Sequence, residues 1–157
     1  MSNASRECTT DNRITIEHLL TWIKTTRVQT GLVTSLSLWV GFVSVAPLDI
    51  RSTAYLGIIG LCFHIFGFTL NEVKDAEYDA SIGNNSVHPI ARGDIDKEYA
   101  RWLAWSAYIT SALISAMSPY SELGTLVLIL AVIPAYLYDQ YSKTHWWSNA
   151  YLSVWAG

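Results

Sequence analysis

The run NEVKDAEYD places four carboxylates (Glu72, Asp75, Glu77 and Asp79) and the amide of Asn71 within nine residues. On a helix advancing 100° per residue, Asn71, Asp75 and Asp79 stand at i, i+4 and i+8 within an arc of about 80°. Glu72 falls just beside them, while Glu77 and Lys74 point elsewhere. One face therefore carries three carboxylates and an amide. Like charges at this spacing oppose a helix by a few tenths of a kcal/mol per pair, so a cation should relieve them. Hard oxygen donors with room for water suit Mg²⁺, which binds through one or two carboxylates together with substrate phosphates. The plainer reading is a solvated acidic loop at a membrane surface.

The elements around this stretch are apolar. Of 157 residues, 51% are hydrophobic and 15% charged, and the charges leave long gaps. Residues 28–48 hold 21 uncharged positions, 52–71 hold 20, 102–121 hold 20, 123–138 hold 16, and 144–157 hold 14. About 20 apolar residues let a helix cross a bilayer. The pattern predicts an all-α, polytopic transmembrane helical bundle: spans at roughly 28–48, 53–70, 102–118 and 122–138, then the start of a fifth. Pro47 and the turn DIRS close the first span, and SPYS joins the third to the fourth. A polar tail and an interfacial amphipathic helix, with Ile14, Leu19, Leu20 and Ile23 as its apolar side, fill residues 1–27. With the N-terminus cytoplasmic, nine Lys and Arg fall on the inner side and only Arg51 outside, the asymmetry of a multi-pass membrane protein. Trp22, Trp102, Trp105, Trp146 and Trp147 are expected at the inner boundary. The acidic face then begins at the membrane edge, because Asn71 closes the second gap. Carboxylates held against a bundle interior there are costly and usually functional.

Lys143, in YDQYSK, and Arg27, in WIKTTR, share that inner edge. Cations able to grip phosphate oxygens, opposite carboxylates that hold Mg²⁺, are the minimal kit for a diphosphate leaving group; anchoring of topology alone would also place a Lys and an Arg there. His88, in VHPIARG, reads as a surface histidine of a Gly/Asn-rich loop. His64 lies mid-span and needs a hydrogen-bond partner, expected on a neighbouring helix. Gly57 and Gly60, with Ser37 and Ser44, are candidates for close helix approach. Cys8 and Cys62 offer neither a disulfide framework nor metal spacing. The polar opening lacks the pattern of a secretory signal, and no basic patch points to nucleic acid.

NEVKDAEYD resembles the first aspartate-rich motif of the UbiA superfamily of membrane prenyltransferases, NDxxDxxxD. Pro89, Ile90 and Gly93 are similar to its Pro-Leu/Ile-x-x-Gly continuation, WIKTTR to the run leading into the first helix, and YDQYSK with Asn149 to the segment joining the fourth helix to the fifth. The resemblance implies that residues 28–157 are the N-terminal half of a prenyltransferase domain within a nine-helix bundle. It implies that Asn71, Asp75 and Asp79 bind Mg²⁺ and diphosphate, with Asp75 and Asp79 catalytic, and that Lys143 and Arg27 contact the diphosphate. The partners implied are a prenyl diphosphate, a lipophilic acceptor and membrane lipids. Two positions depart from the pattern: Glu72 stands where Asp is usual, and His88 where Arg or Lys precedes Pro. Arg92, four residues on, is placed to compensate for the lost charge.

The family carries about nine helices and a second acidic motif, so a fragment inactive by itself is expected. The competing expectation is a non-catalytic four-span protein whose acidic loop binds cations or a partner. Acceptor identity, prenyl chain length and oligomeric state are open at this stage.

Overall fold

The computed structural model describes residues 16–83, 88–118 and 121–141, which contain helices and no strand. Residues 16–26 form α1. A 3-10 turn, Val28–Thr30, leads into α2, Gly31–Val43; then follow α3, Ile50–Ser81; α4, Pro89–Arg92; α5, Lys97–Ala116; and α6, Ser121–Tyr141. Thus each of the four uncharged gaps within the described residues contains most of a helix. The expected fifth span lies outside the described residues, as do Trp146 and Trp147.

Helix α3 organises the rest. It starts at a capping box: the Asp49 carboxylate accepts from the Ser52 backbone N–H at 2.6 Å, and the Asp49 N–H donates to Ser52 Oγ at 3.1 Å. The Ser52 hydroxyl also donates to the Asp49 carboxylate at 2.6 Å, and this bond, with that from the Ser52 backbone N–H, holds the Asp49 carboxyl below its usual pKa. From there the helix runs 32 residues without a break, through the apolar stretch and on through the acidic one. Among the described residues α3 is the one helix long and apolar enough to cross a membrane; residues 28–43 and 124–138 are apolar but shorter.

α3 packs chiefly against α5 and α2. Toward α5, Phe66, Leu70 and Ala104 form one buried cluster, with Phe66 at 5.3 Å from Trp105 and 5.0 Å from Tyr108 between ring centroids. A second cluster of Val73, Ala76, Ile90, Ile95 and Ala100 is covered by Trp22, which meets Tyr99 edge-on at 5.4 Å. Trp22 and Trp105 are thus half-buried and packed against these clusters, while Trp102 is exposed. Toward α2 the contact is made by small residues. The Ser35 hydroxyl donates to the Gly57 carbonyl at 3.0 Å, and a Cβ on Gly60 would come within 2.8 Å of Ser35 Cα. The expected partners Ser37 and Ser44 instead bond within their own segment, to the carbonyls of Val33 and Gly41. The contact falls to Ser35, two residues before Ser37 and so on roughly the opposite side of the helix; an evenly apolar helix does not disclose its rotation.

Large apolar side chains face outward on three helices: Leu32, Val33 and Val40 on α2, Ile109 and Leu113 on α5, and Leu126, Val127, Leu130 and Ile133 on α6. So many large exposed apolar side chains are unusual for a water-facing surface and suit a lipid one. On α1, Ile16, Leu19 and Leu20 also face outward, while Thr25 and Thr26 are buried. Of the expected apolar side, Leu19 and Leu20 face outward, Ile23 is half-buried, and Ile14 lies outside the described residues.

Gly60→Val should therefore lower the thermal midpoint in detergent, at a cost of about 1–3 kcal/mol from overpacking. Gly41→Ala, where nothing lies within 4 Å of the added carbon, should leave the midpoint unchanged or raise it.

Candidate functional site: an acidic helix face and its clamp

Because α3 does not break, its last turns keep the register set deep in the bundle. His64, Phe68, Asn71, Glu72, Asp75 and Asp79 follow one another along one face at i, i+4, i+7, i+8, i+11 and i+15. The Asn71 side-chain N–H donates to Asp75 Oδ2 at 3.2 Å. Glu72 and Asp79, two turns apart, are both buried, at 7% and 6% exposure. The off-face residues are used as ties. Lys74 donates to Gln140 Oε1 at 2.6 Å and lies 5.5 Å from the Tyr136 ring centroid, latching the end of α6 to α3. Lys97 on α5 bonds Glu77 and holds its carboxyl below the usual glutamate range.

Burial of two carboxylates needs donors, and His88 supplies one. Its Nδ1 lies 3.2 Å from both carboxylate oxygens of Glu72 and 3.8 Å from Asp79 Oδ2. This residue, expected at the surface, is seated between two acidic side chains. The local sequence explains how it gets there. Pro89 occupies the first position of α4, where its missing N–H is no loss. Ile90 inserts into the Val73–Ala76–Ala100 cluster. Gly93, at φ 81°, ends the helix in the left-handed region, and the Asp94 N–H closes the turn on the Pro89 carbonyl at 3.0 Å. The Pro-Ile-x-x-Gly pattern is thus an anchored hook that holds the residue before it, His88, at the acidic face. The signal that could have found His88 is its place immediately before that hook.

Arg27 stacks on Phe68 of the same helix face. Its guanidinium carbon lies 5.2 Å from the Phe68 ring centroid, one turn before Asn71 and Glu72. Its backbone is left-handed, at φ 47° and ψ 32°, the one such non-glycine residue among those described. Left-handed geometry at such a residue costs roughly 1–2 kcal/mol, and persists where surroundings enforce it. Here the Arg27 carbonyl accepts from the Thr30 N–H at 2.9 Å, the Thr30 hydroxyl at 2.8 Å and His64 Nε2 at 2.9 Å. With Nε2 donating, His64 Nδ1 accepts from the Thr34 hydroxyl at 2.9 Å. His64 is the buried, helix-satisfied residue expected, and it also fixes the bend that aims Arg27.

The other candidates divide. Arg92 engages the Asp94 carboxylate through Nε at 2.9 Å and through Nη2, and is partly exposed. Lys143 lies outside the described residues, two positions beyond the end of α6. Among the described residues, no group of three or more His, Cys, Asp or Glu side chains is disposed to hold a metal ion. The oxygen donors sharing the α3 face, Asn71, Asp75 and Asp79, are nevertheless of the hard type that Mg²⁺ accepts alongside water and phosphate.

The sequence model of the UbiA prenyltransferase family matches residues 28–157. No curated protein and no solved structure matches the chain.

If α4 is the hook that seats His88, Ile90→Ala should cost about 2–4 kcal/mol, the range for truncating a buried aliphatic side chain. The check is the thermal midpoint, with protease sensitivity at residues 83–95 rising in parallel.

Proposed function

Because the chain belongs to the UbiA prenyltransferase family, whose members are integral membrane proteins, we propose that it is an intramembrane prenyltransferase. In this reading it moves a prenyl group from an allylic prenyl diphosphate to a lipophilic acceptor, with Mg²⁺-assisted release of diphosphate. The single observation that carries this reading is the stacking of Arg27 on Phe68, one turn before Asn71 and Glu72 on the face of α3 that goes on to carry Asp75 and Asp79.

Asn71, Asp75 and Asp79 are the residues that would hold Mg²⁺, which when bound neutralises charge on the departing diphosphate. Arg27 is placed to bind diphosphate oxygens from the α1–α2 bend. Lys143 would contact the same diphosphate, as the motif implies. Arg92 is the more peripheral cation, sharing its charge with Asp94. In the transfer, the allylic C–O bond breaks and its electron pair leaves with the diphosphate. The electron-poor prenyl carbon then bonds to the acceptor, which loses a proton. Preorganised charges at the leaving group are the main contribution the protein makes to such a step. Phe68, beside Arg27 on the same face, offers a π surface to cationic groups.

The bundle would insert with four crossings, its N-terminus and acidic face toward the cytoplasm, as the positive-inside asymmetry requires. The outward apolar side of α1 would lie along the inner interface. Membranes holding the gene product should form labelled lipid from labelled geranylgeranyl diphosphate only when Mg²⁺ is present. Absence of turnover across several donors and acceptors would leave the non-catalytic, cation-binding reading.

Asp75→Asn and Asp79→Asn should each lower turnover about 10²-fold or more, with membrane insertion intact. Full activity in both would remove the assignment. Arg27→Gly should raise KM for the prenyl diphosphate while leaving the thermal midpoint unchanged or higher, since glycine adopts the left-handed bend without strain. A lower midpoint with normal KM would make Arg27 purely structural.

A further inference from the structure

His64 is buried midway along α3, and both of its ring nitrogens are hydrogen-bonded. Nε2 lies 2.9 Å from the Arg27 carbonyl and 3.1 Å from the Thr30 hydroxyl, which itself donates to that carbonyl. A carbonyl oxygen can only accept, so Nε2 carries the proton and Nδ1 accepts from Thr34 at 2.9 Å. These partners all surround the left-handed residue. Thr30 ends the 3-10 turn after Arg27, and Thr34 lies in the first turn of α2. The approach is close, since a Cβ on Gly31 would come within 3.4 Å of His64 Cδ2.

The same imidazole also supports the Arg27 side chain, through one intermediary. Phe68, one turn further on, has its ring centroid 4.3 Å from that of His64. The Arg27 guanidinium carbon lies 5.2 Å from the Phe68 centroid. Arg27 is therefore held to α3 at both ends. Its carbonyl is bound by Nε2, and its guanidinium rests on a ring packed against that imidazole. A left-handed backbone is unfavourable at a residue with a Cβ and relaxes unless its surroundings enforce it. A long cationic side chain keeps its rotamer freedom unless a surface such as an aromatic face takes it up.

We propose that His64 is a positioning residue for Arg27. It raises the affinity of the site for diphosphate by fixing the Arg27 backbone directly and the guanidinium through Phe68, without touching the diphosphate itself. The effect on diphosphate rests on the prenyltransferase reading above; the coupling of His64 to Arg27 rests on the contacts alone.

The test uses the full gene product in lipid nanodiscs, with variants chosen by the ring nitrogen they imitate. The amide nitrogen of Gln reaches the place of Nε2, whereas the shorter Asn reaches only that of Nδ1. Two quantities are read: hydrogen exchange of residues 25–31 without substrate, and KM for geranylgeranyl diphosphate against kcat. His64→Asn should speed exchange and raise KM about tenfold, the scale of one lost hydrogen bond to a charged group, with kcat changed less. His64→Gln should restore most of both. In an Arg27→Gly background, His64→Asn should leave KM where Arg27→Gly alone puts it, because no guanidinium remains to be positioned. Phe68→Leu keeps the imidazole's hydrogen bonds and should raise KM with exchange unchanged, which supplies the test even if the His64 variants do not fold. A further rise in KM in the Arg27→Gly background, Gln no better than Asn, or a normal KM in Phe68→Leu would overturn the proposal. Fast exchange in His64→Asn, rescued by Gln in a protein without turnover, would uphold the hold of His64 on Arg27 and remove the transferase reading instead.

Discussion

A helix that passes from an apolar environment into a polar one has to keep every backbone hydrogen bond along the way, and α3 does so from Ile50 to Ser81 without interruption. That continuity is the constraint on which the site depends. A kink or a loop at the membrane edge would decouple the acidic turns from the packed ones. With the ladder intact, the rotation set by Gly60 against Ser35 and by Phe66 against Trp105 and Tyr108 determines where Asn71, Asp75 and Asp79 point. The acidic face is thus aimed by contacts made several turns away, among residues that carry no charge.

Two further devices converge on that face, each built at a point of local conformational cost or restriction. On one side, the left-handed bend at Arg27 is enforced by three donors to a single carbonyl, one of them from His64 on α3 itself. On the other, Pro89 and Gly93 delimit a four-residue helix whose buried Ile90 ties the His88 backbone to the core. Arg27 stacks on Phe68 of α3 and His88 meets Glu72, so a cation and an imidazole stand on the helix face that carries the acidic residues. Preorganisation of this kind is what a leaving-group site requires, since charges that must first be gathered contribute less to the transition state.

Much of this was legible in the residues. Spacing alone put Asn71, Asp75 and Asp79 on one side of a helix, and the uncharged gaps marked the bundle's helices. The Asp49/Ser52 capping box was readable too, although DIRS was read as a turn only. What could not be read was rotation and return. Uniformly apolar helices carry no stripe, so nothing in the sequence favoured Ser35 over Ser37 or Ser44 as the close contact. Trp22 and Trp105 were assigned by ring chemistry to a boundary; that each also packs against a buried cluster, beside Tyr99 and Phe66, is a tertiary contact that local sequence does not show. His88 looked like a loop residue because a linear reading cannot show that the hook after it folds back onto the carboxylates of α3. Lys143 and Asn149 lie outside the described residues, so their part in the site rests on the motif alone.

The central claim is that the acidic face of α3 binds a divalent cation together with diphosphate. Mn²⁺, a hard ion that takes the same oxygen ligands, makes this directly observable by pulsed electron paramagnetic resonance on the protein in nanodiscs with inorganic diphosphate. The account predicts bound Mn²⁺ with a phosphorus hyperfine coupling that disappears in Asp75→Asn. Mn²⁺ that shows no phosphorus coupling in the wild-type protein, or the same coupling in Asp75→Asn, would contradict it.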